Sequence, residues 1–246
     1  ICGLNKHSIT IDDIVFKIGP RINAAGRMRM DENDENASPS GGHAAVELLI
    51  EGNESIAAEF GNVIDAYNQD GKSIDRSVTQ EAHDFIERNP AMKELKSTVI
   101  YNPKWMKGIV GIVASRLARD YNRPTIVLTI QGDVAYGSGR SVACLNLVEV
   151  LSHTADLLDR YGGHPMAVGI GLKADRIADF FDAMDREIHK QISSADLEDV
   201  IRYDGEAQLH ELTPEFFKYL ALLSPFGHSN VKPVYRFNEV NGTATV

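Results

Sequence analysis

The sequence predicts an α/β fold, and three observations carry that reading. Residues 97–172 alternate β-rich runs with helically spaced apolar residues, the pattern of a layered α/β domain with a mixed sheet. Residues 54–88 keep apolar side chains at spacings of three and four, enough for one helix of about 50 Å. From residue 196 onward the chain changes to short β-rich runs punctuated by Pro and Gly, the incomplete start of a small β domain.

In chain order, Ile14, Val15, Phe16 and Ile18 form a short apolar segment that Gly19-Pro20 breaks. Residues 31–42 are acidic and rich in Asn, Ser and Gly, and read as a surface loop. The long helix presents Ile56, Phe60, Val63, Ile64, Tyr67, Ile74, Val78, Ala82, Phe85 and Ile86. Gly71 weakens it and Pro90 stops it, and its length suits a connector between two lobes. Strands are expected at 98–101, 125–129 and 167–172, and helices at 108–120, 147–160 and 175–190. Residues 134–136 lead into a Gly-Ser-Gly-Arg turn, and Gly162 stands as the C-terminal stop of the 147–160 helix. Beyond, 201–203 and 234–237 read as strands, and Thr213-Pro214-Glu215 opens a helix with a cap and a first-turn proline.

A formal net charge of −10 argues against a broad basic face that coats nucleic acid, while leaving room for a narrow groove lined by a few arginines. Metal-dependent nucleases tolerate an acidic balance, because carboxylates hold the cations that meet the phosphates. No apolar run is long enough to span a membrane. Cys2 and Cys144 are too few for a disulfide framework or a four-thiolate zinc site; Cys144 reads as a small buried hydrophobe, and a reducing cytoplasm is expected. Ile1 and the absence of a signal-peptide pattern suggest a piece of a longer protein.

Two stretches carry candidate chemistry. In Gly137-Ser138-Gly139-Arg140-Ser141, glycines leave amides free to meet an anion, the serines add hydroxyls, and Arg140 adds a bidentate cation. The competing reading is a tight turn with a surface arginine. In Gly162-Gly163-His164-Pro165, glycine backbone permits close approach of a ligand, and His164 can donate to a phosphate oxygen. Its competitor is a helix-ending glycine pair with an incidental histidine. Arg21, Asn23 and Arg27 surround small residues and can hold a backbone phosphate, or be a capped turn with solvated arginines. Trp105 can stack on a base or fill a core. Asp12, Asp13 and the carboxylates at 31–35 have no histidines spaced to complete a two-metal site, and the remaining histidines show no ligand spacing. There is no Gly-Lys-Ser/Thr phosphate loop and no nucleophile elbow.

Together these motifs resemble the RecJ family of bacterial single-strand-specific 5′→3′ DNA exonucleases, within the DHH phosphoesterases. The resemblance rests on residues 19–28 (GPRINAAGRM), 105–117 (WMKGIVGIVASRL), 137–141 (GSGRS), 162–167 (GGHPMA) and 223–227 (LSPFG). It implies a remnant of the DHH domain at 1–30, an acidic loop and connector helix at 31–92, a DHH-associated domain at 93–195, and the truncated start of an OB-type domain at 196–246. It implies Ser138, Arg140 and Gly137 at a 5′-phosphate pocket, and His164 facing the scissile phosphate as the catalytic residue. Arg21, Asn23, Arg27, Trp105 and Gly163 would meet single-stranded DNA. The Mn²⁺ or Mg²⁺ of the full-length enzyme would be held by ligands upstream of residue 1, so no metal ligand is expected in the chain and it should be inactive alone. Single-strand-binding protein and a helicase are implied as partners in DNA repair and recombination, while oligomeric state is not. Two rival functions stay open: a non-catalytic module for single-stranded nucleic-acid ends, and an oligoribonuclease or cyclic-dinucleotide phosphodiesterase of the same superfamily. Met106 stands where family members commonly carry His, 31–42 reads as an insertion, and His228-Ser229-Asn230-Val231 replaces a Gly-Asn-Pro pattern.

Overall fold

A computed structural model describes residues 2–4, 7–27, 41–198, 200–227 and 229–238. The acidic 31–42 loop lies outside the described residues except for Gly41 and Gly42, as does His228. The chain divides into two units, Ile1–Glu198 and Asp199–Val246.

The first unit opens with α1 (Ile11–Asp13), capped by Thr10, and a π-helical turn (Ile14–Ile18) that runs directly into α2 (Gly19–Arg27). Next come α3 (Gly41–Ile50) and α4 (Glu54–Glu87), whose 34 residues span about 51 Å. Asn53 starts α4 by accepting from the amides of Ser55 and Ile56, and the helix runs unbroken through Gly71. Its buried positions, Gly61, Ile64, Asn68, Asp75, Val78, Ala82 and Ile86, fall on one stripe at helical spacing. The two ends of that stripe serve different cores. Ile64 packs with Ala25, Ala44 and Ala45 of α2 and α3, whereas Val78, Ala82 and Ile86 join the core around Trp105.

After the short α5 (Pro90–Lys93) the chain builds a five-stranded sheet. Its elements are β1 (Thr98–Tyr101), α6 (Val110–Asp120), β2 (Thr125–Gln131), β3 (Val134–Arg140), α7 (Leu147–Ser152), β4 (Arg160–His164), β5 (Ala167–Lys173) and α8 (Ile177–Gln191). The spatial order is β1-β2-β3-β5-β4. Only β1 and β2 pair in parallel; the other three pairings are antiparallel, so the sheet is mixed as expected. One face carries Ile126, Leu128, Ala135, Val168, Ile170 and Leu172, packed on α7 and α8 through Leu147, Leu151, Phe180, Met184 and Ile188. The other face puts Ile100 and Val127 against Val110, Val113 and Leu117 of α6 and the C-terminal half of α4. Those helices reach only as far as β3, so at the β5–β4 end this face is open: all of β4 and Gly169 of β5 are exposed.

The expected 147–160 helix is shorter. α7 ends at Ser152, Thr154 is buried and donates to the Leu151 carbonyl, and Asp159 already donates to the Gly171 carbonyl as the chain extends into β4. Gly162 therefore lies in an edge strand and caps no helix. Cys144 is exposed on the loop before α7, not a buried hydrophobe. In the second unit the described residues form β6 (Gly205–Ala207) paired in parallel with β7 (Tyr235–Phe237), and α9 (Pro214–Leu222) capped by Thr213. An OB-type barrel is not found among them.

Candidate phosphate-binding face

The open half of the sheet is organised in rows. Residues paired across antiparallel strands share a face, and every second residue along a strand returns to it. Arg140, Ala167 and His164 form one row; Ser138, Gly169 and Gly162 the next; Tyr136, Gly171 and Arg160 a third. Arg140 and His164 thus stand two strands apart, about 10 Å at the backbone, with only Ala167 between them. The middle row is bare, because a methyl placed on Gly162 or Gly169 would meet nothing within 4 Å. The result is a trough with a backbone floor, walled by α6 on one side and open at the exposed edge strand β4 on the other.

The α6 wall is close. A Cβ on Gly111, in its first turn, would stand 3.1 Å from Ser138 Oγ and 3.3 Å from Arg140 Nη2. The positive end of the helix dipole therefore lies beside these two side chains. Arg140 Nη1 donates to Ser138 Oγ at 2.8 Å and to the Gly139 carbonyl at 2.8 Å, while Ser138 Oγ donates to the Val168 carbonyl at 3.4 Å. This leaves Nη2 of the fork without a hydrogen bond to an acceptor among the described residues. Burial lowers the Arg140 pKa, and the nearby positive charge of Arg27 lowers it further. Arg27 ends α2, and its carbonyl abuts the backbone of Gly108, where a Cβ would come within 2.7 Å. Among the described residues no carboxylate pairs with either arginine. Two converging cations without an acid, beside a helix N-terminus, form a place for an anion.

The structure separates the other candidates. The 137–140 stretch is no turn; it is the inner half of β3, paired on one side with β2 and on the other with β5. Gly137 accordingly offers no free amide to a phosphate. Its bare α-carbon faces the opposite core, where a Cβ would lie 2.5 Å from Leu128 Cδ2, and Gly139 likewise makes room for Leu147 and Val168. Gly163 adopts φ 138°, and a Cβ there would be 2.3 Å from the Ala167 carbonyl oxygen, so it shapes the strand beside His164. Arg21 is committed elsewhere: Nε binds Asp65 Oδ1 at 2.7 Å and Nη1 binds the Lys17 carbonyl, tying α2 to α4. Trp105 is only 6% exposed, and its indole donates to Glu81 Oε2 at 3.0 Å, which closes its ring to a stacking base.

Asn23 and Arg27 line a cavity of about 280 Å³ bounded by α2, α4 and the start of α6. Its polar residues from α4 were missed by sequence reasoning: Lys72, Asp75 and Asn68, whose buried Nδ2 finds no acceptor. Lys107 and Arg160 at the trough were also missed. The Lys107 ammonium lies 3.9 Å from the Tyr136 ring centroid, and the Arg160 guanidinium 4.9 Å from it on the third row. Arg160 had a signal, since it stands two residues before Gly162 and so shares its face once β4 is recognised as a strand. Among the described residues no group of three or more His, Cys, Asp or Glu could hold a metal ion.

Comparison with known proteins follows this geometry. Residues 94–190, the sheet and its flanking helices, match the DHHA1 domain. A Bacillus subtilis protein named single-stranded-DNA-specific exonuclease RecJ is 34% identical over 224 residues, covering 90% of this chain and 27% of the relative. Its Haemophilus influenzae namesake is 30% identical over 242 residues, covering 96% of this chain and 40% of the relative. Thermus thermophilus RecJ in complex with Mn²⁺ superposes with TM-score 0.73 at 27% identity, over 92% of this chain and 31% of that one; the same protein with Mg²⁺ gives 0.71 at 26% identity, over 91% and 32%. The chain thus spans well under half the length of the relatives it matches.

Proposed function

We propose that this chain, which resembles RecJ over most of its length and matches the DHHA1 domain in its mixed-sheet core, grips the 5′ end of single-stranded DNA for a RecJ-type 5′→3′ exonuclease of repair and recombination. The observation that carries the reading is the shared face of Arg140, Ser138 and His164 around a glycine floor. Arg140 takes the terminal phosphate through its free Nη2, with Ser138 and the first turn of α6 holding the fork in place. Arg27 adds a second cation, and its repulsion of Arg140 is relieved when an anion lies between them. His164, across the floor, donates to an oxygen of the next phosphate and stabilises the negative charge that grows there as the bond breaks. Among the described residues no group of His, Cys, Asp or Glu fits the Mg²⁺ or Mn²⁺ held by the relatives. On this reading the 246-residue chain binds strand ends and does not cut them.

The test is binding of otherwise identical strands bearing a 5′-phosphate or a 5′-hydroxyl. The phosphorylated strand is expected to bind about tenfold tighter, and Arg140→Ala to remove the difference, in line with about 1.5–3 kcal/mol for a charged hydrogen bond. An unchanged preference in Arg140→Ala overturns the pocket assignment. Turnover of the phosphorylated strand by the chain with added Mn²⁺ overturns its role as a gripping element alone.

A further inference from the structure

The trough does not stop at Ser138. Along β3 the rows run from Arg140 to Ser138 to Tyr136, and along β4 from His164 to Gly162 to Arg160. With the scissile phosphate at His164 and the terminal phosphate at Ser138 and Arg140, the third row lies further along β3 from the terminal phosphate, to the side of the line that joins the two sites. It is about 7 Å past the second row, at roughly 3.3 Å per residue. Yet that row is furnished for anions. Lys107 and Arg160 both stack on Tyr136, at 3.9 Å and 4.9 Å from its centroid. The ring holds the two cations near one another without neutralising them, and no acid among the described residues pairs with either. Arg160 is pressed onto Gly171, where a Cβ would stand 2.7 Å from its Nε, so glycine is what admits the guanidinium to this face. A cavity of about 340 Å³ takes in Lys107, Tyr136, Arg160 and Tyr161 together with Ser138 and Gly169 of the middle row, so the space is continuous with the phosphate pocket.

We infer that Lys107 and Arg160, flanking Tyr136, form a second anion subsite that accepts the β- and γ-phosphates of a 5′-polyphosphorylated strand. The inference rests on the 5′-phosphate reading of Ser138 and Arg140 and extends it by one subsite. A nucleobase is disfavoured on this row because its ring, Tyr136, is already stacked by the two cations. A polyphosphate needs what the row supplies: two positive charges and a floor continuous with the site of the first phosphate.

The experiment compares strands of one sequence carrying a 5′-triphosphate, 5′-monophosphate or 5′-hydroxyl, binding to the intact protein without divalent metal. The triphosphate strand is expected to bind about tenfold tighter than the monophosphate strand, and Lys107→Gln/Arg160→Gln to abolish that step while keeping the preference for monophosphate over hydroxyl. Lys107→Gln alone, at an exposed residue, reads the same ratio should the double variant lose its fold. Equal binding of tri- and monophosphate strands by the wild type overturns the inference, as does a triphosphate advantage that survives both substitutions. Failure of the underlying reading looks different, since Arg140→Ala would then leave the monophosphate–hydroxyl preference intact. If the double variant weakens all three strands equally, the two cations serve the strand in general and the polyphosphate subsite is refuted.

Discussion

Gly162 and Gly163 are neighbours with opposite jobs, and a single methyl tells them apart. At Gly163 the backbone sits at φ 138° and the methyl would collide with the Ala167 carbonyl, so Gly163→Ala must strain or part the β4–β5 edge. At Gly162 the methyl meets nothing, but it rises from the floor one row along from His164, two strands from Ser138. Gly163→Ala is therefore expected to lower stability by about 1–3 kcal/mol in denaturant unfolding. Gly162→Ala should leave stability within about 0.5 kcal/mol and weaken 5′-phosphorylated strand binding about tenfold. An unaltered affinity in Gly162→Ala would show that no ligand touches the floor. The sequence singled out Ser138, Arg140 and His164, which lie on one face of the sheet, because each stands beside glycines that have no other evident purpose. It misjudged the glycines themselves. A Gly-Ser-Gly run looks like a turn because glycine is depleted in strands, yet Gly137 and Gly139 are in a central strand because Leu128, Leu147, Val168 and Ile170 leave no room for a Cβ. That requirement comes from residues distant in sequence, and so does the closure of Trp105 by Glu81.

At the scale of elements, α4 was the most legible, since its periodicity holds for 34 residues and its start and stop are written in Asn53 and Pro90. What spacing did not disclose is that the buried stripe carries polar residues. Asp75 is 4% exposed, accepts from Thr79 Oγ1 at 3.3 Å and pairs with Arg116 of α6, joining the connector to the sheet domain. Asp75→Asn keeps the shape and removes the charge, and is expected to cost about 2 kcal/mol in denaturant unfolding, within the range for a charged hydrogen bond. Arg116 is partly exposed, so in Asp75→Asn it can turn to water, whereas Arg116→Met leaves the Asp75 carboxylate buried and uncompensated, a larger penalty. The informative result is the order: Arg116→Met more destabilising than Asp75→Asn. The reverse order would mean that the bridge is peripheral to the α4–α6 contact. The shortened α7 shows the limit from the other side, because the apolar spacing at 155 and 158 continued although the backbone had turned into a 3-10 segment, Ala155–Leu157, before β4.

For the molecule as a whole, the net charge of −10 comes from an excess of carboxylates, and these are the groups that change as pH falls into the acid range. The carboxylates that matter are those the fold has made more acidic. Glu187 on α8 is lowered from 4.5 to about 2, first by the hydrogen bond from Gln191 and then by those from His153 and Lys190. Asp13 falls from 3.8 to about 2 through Lys17 and the Thr10 cap. A carboxylate with a depressed folded pKa binds protons more readily when unfolded. Its stabilisation is therefore whole above the unfolded pKa and is lost as pH falls through the folded one. Both groups place that loss between about pH 4.5 and 2. Thermal unfolding should thus be nearly flat from pH 8 to 5 and drop steeply below 4.5. Glu187→Gln should flatten the drop, because the amide keeps the size and part of the hydrogen bonding while removing the titration. A melting curve of Glu187→Gln that falls as steeply as wild type below pH 4.5 would relocate the acid sensitivity away from the α7–α8 layer, which backs the candidate face of the sheet.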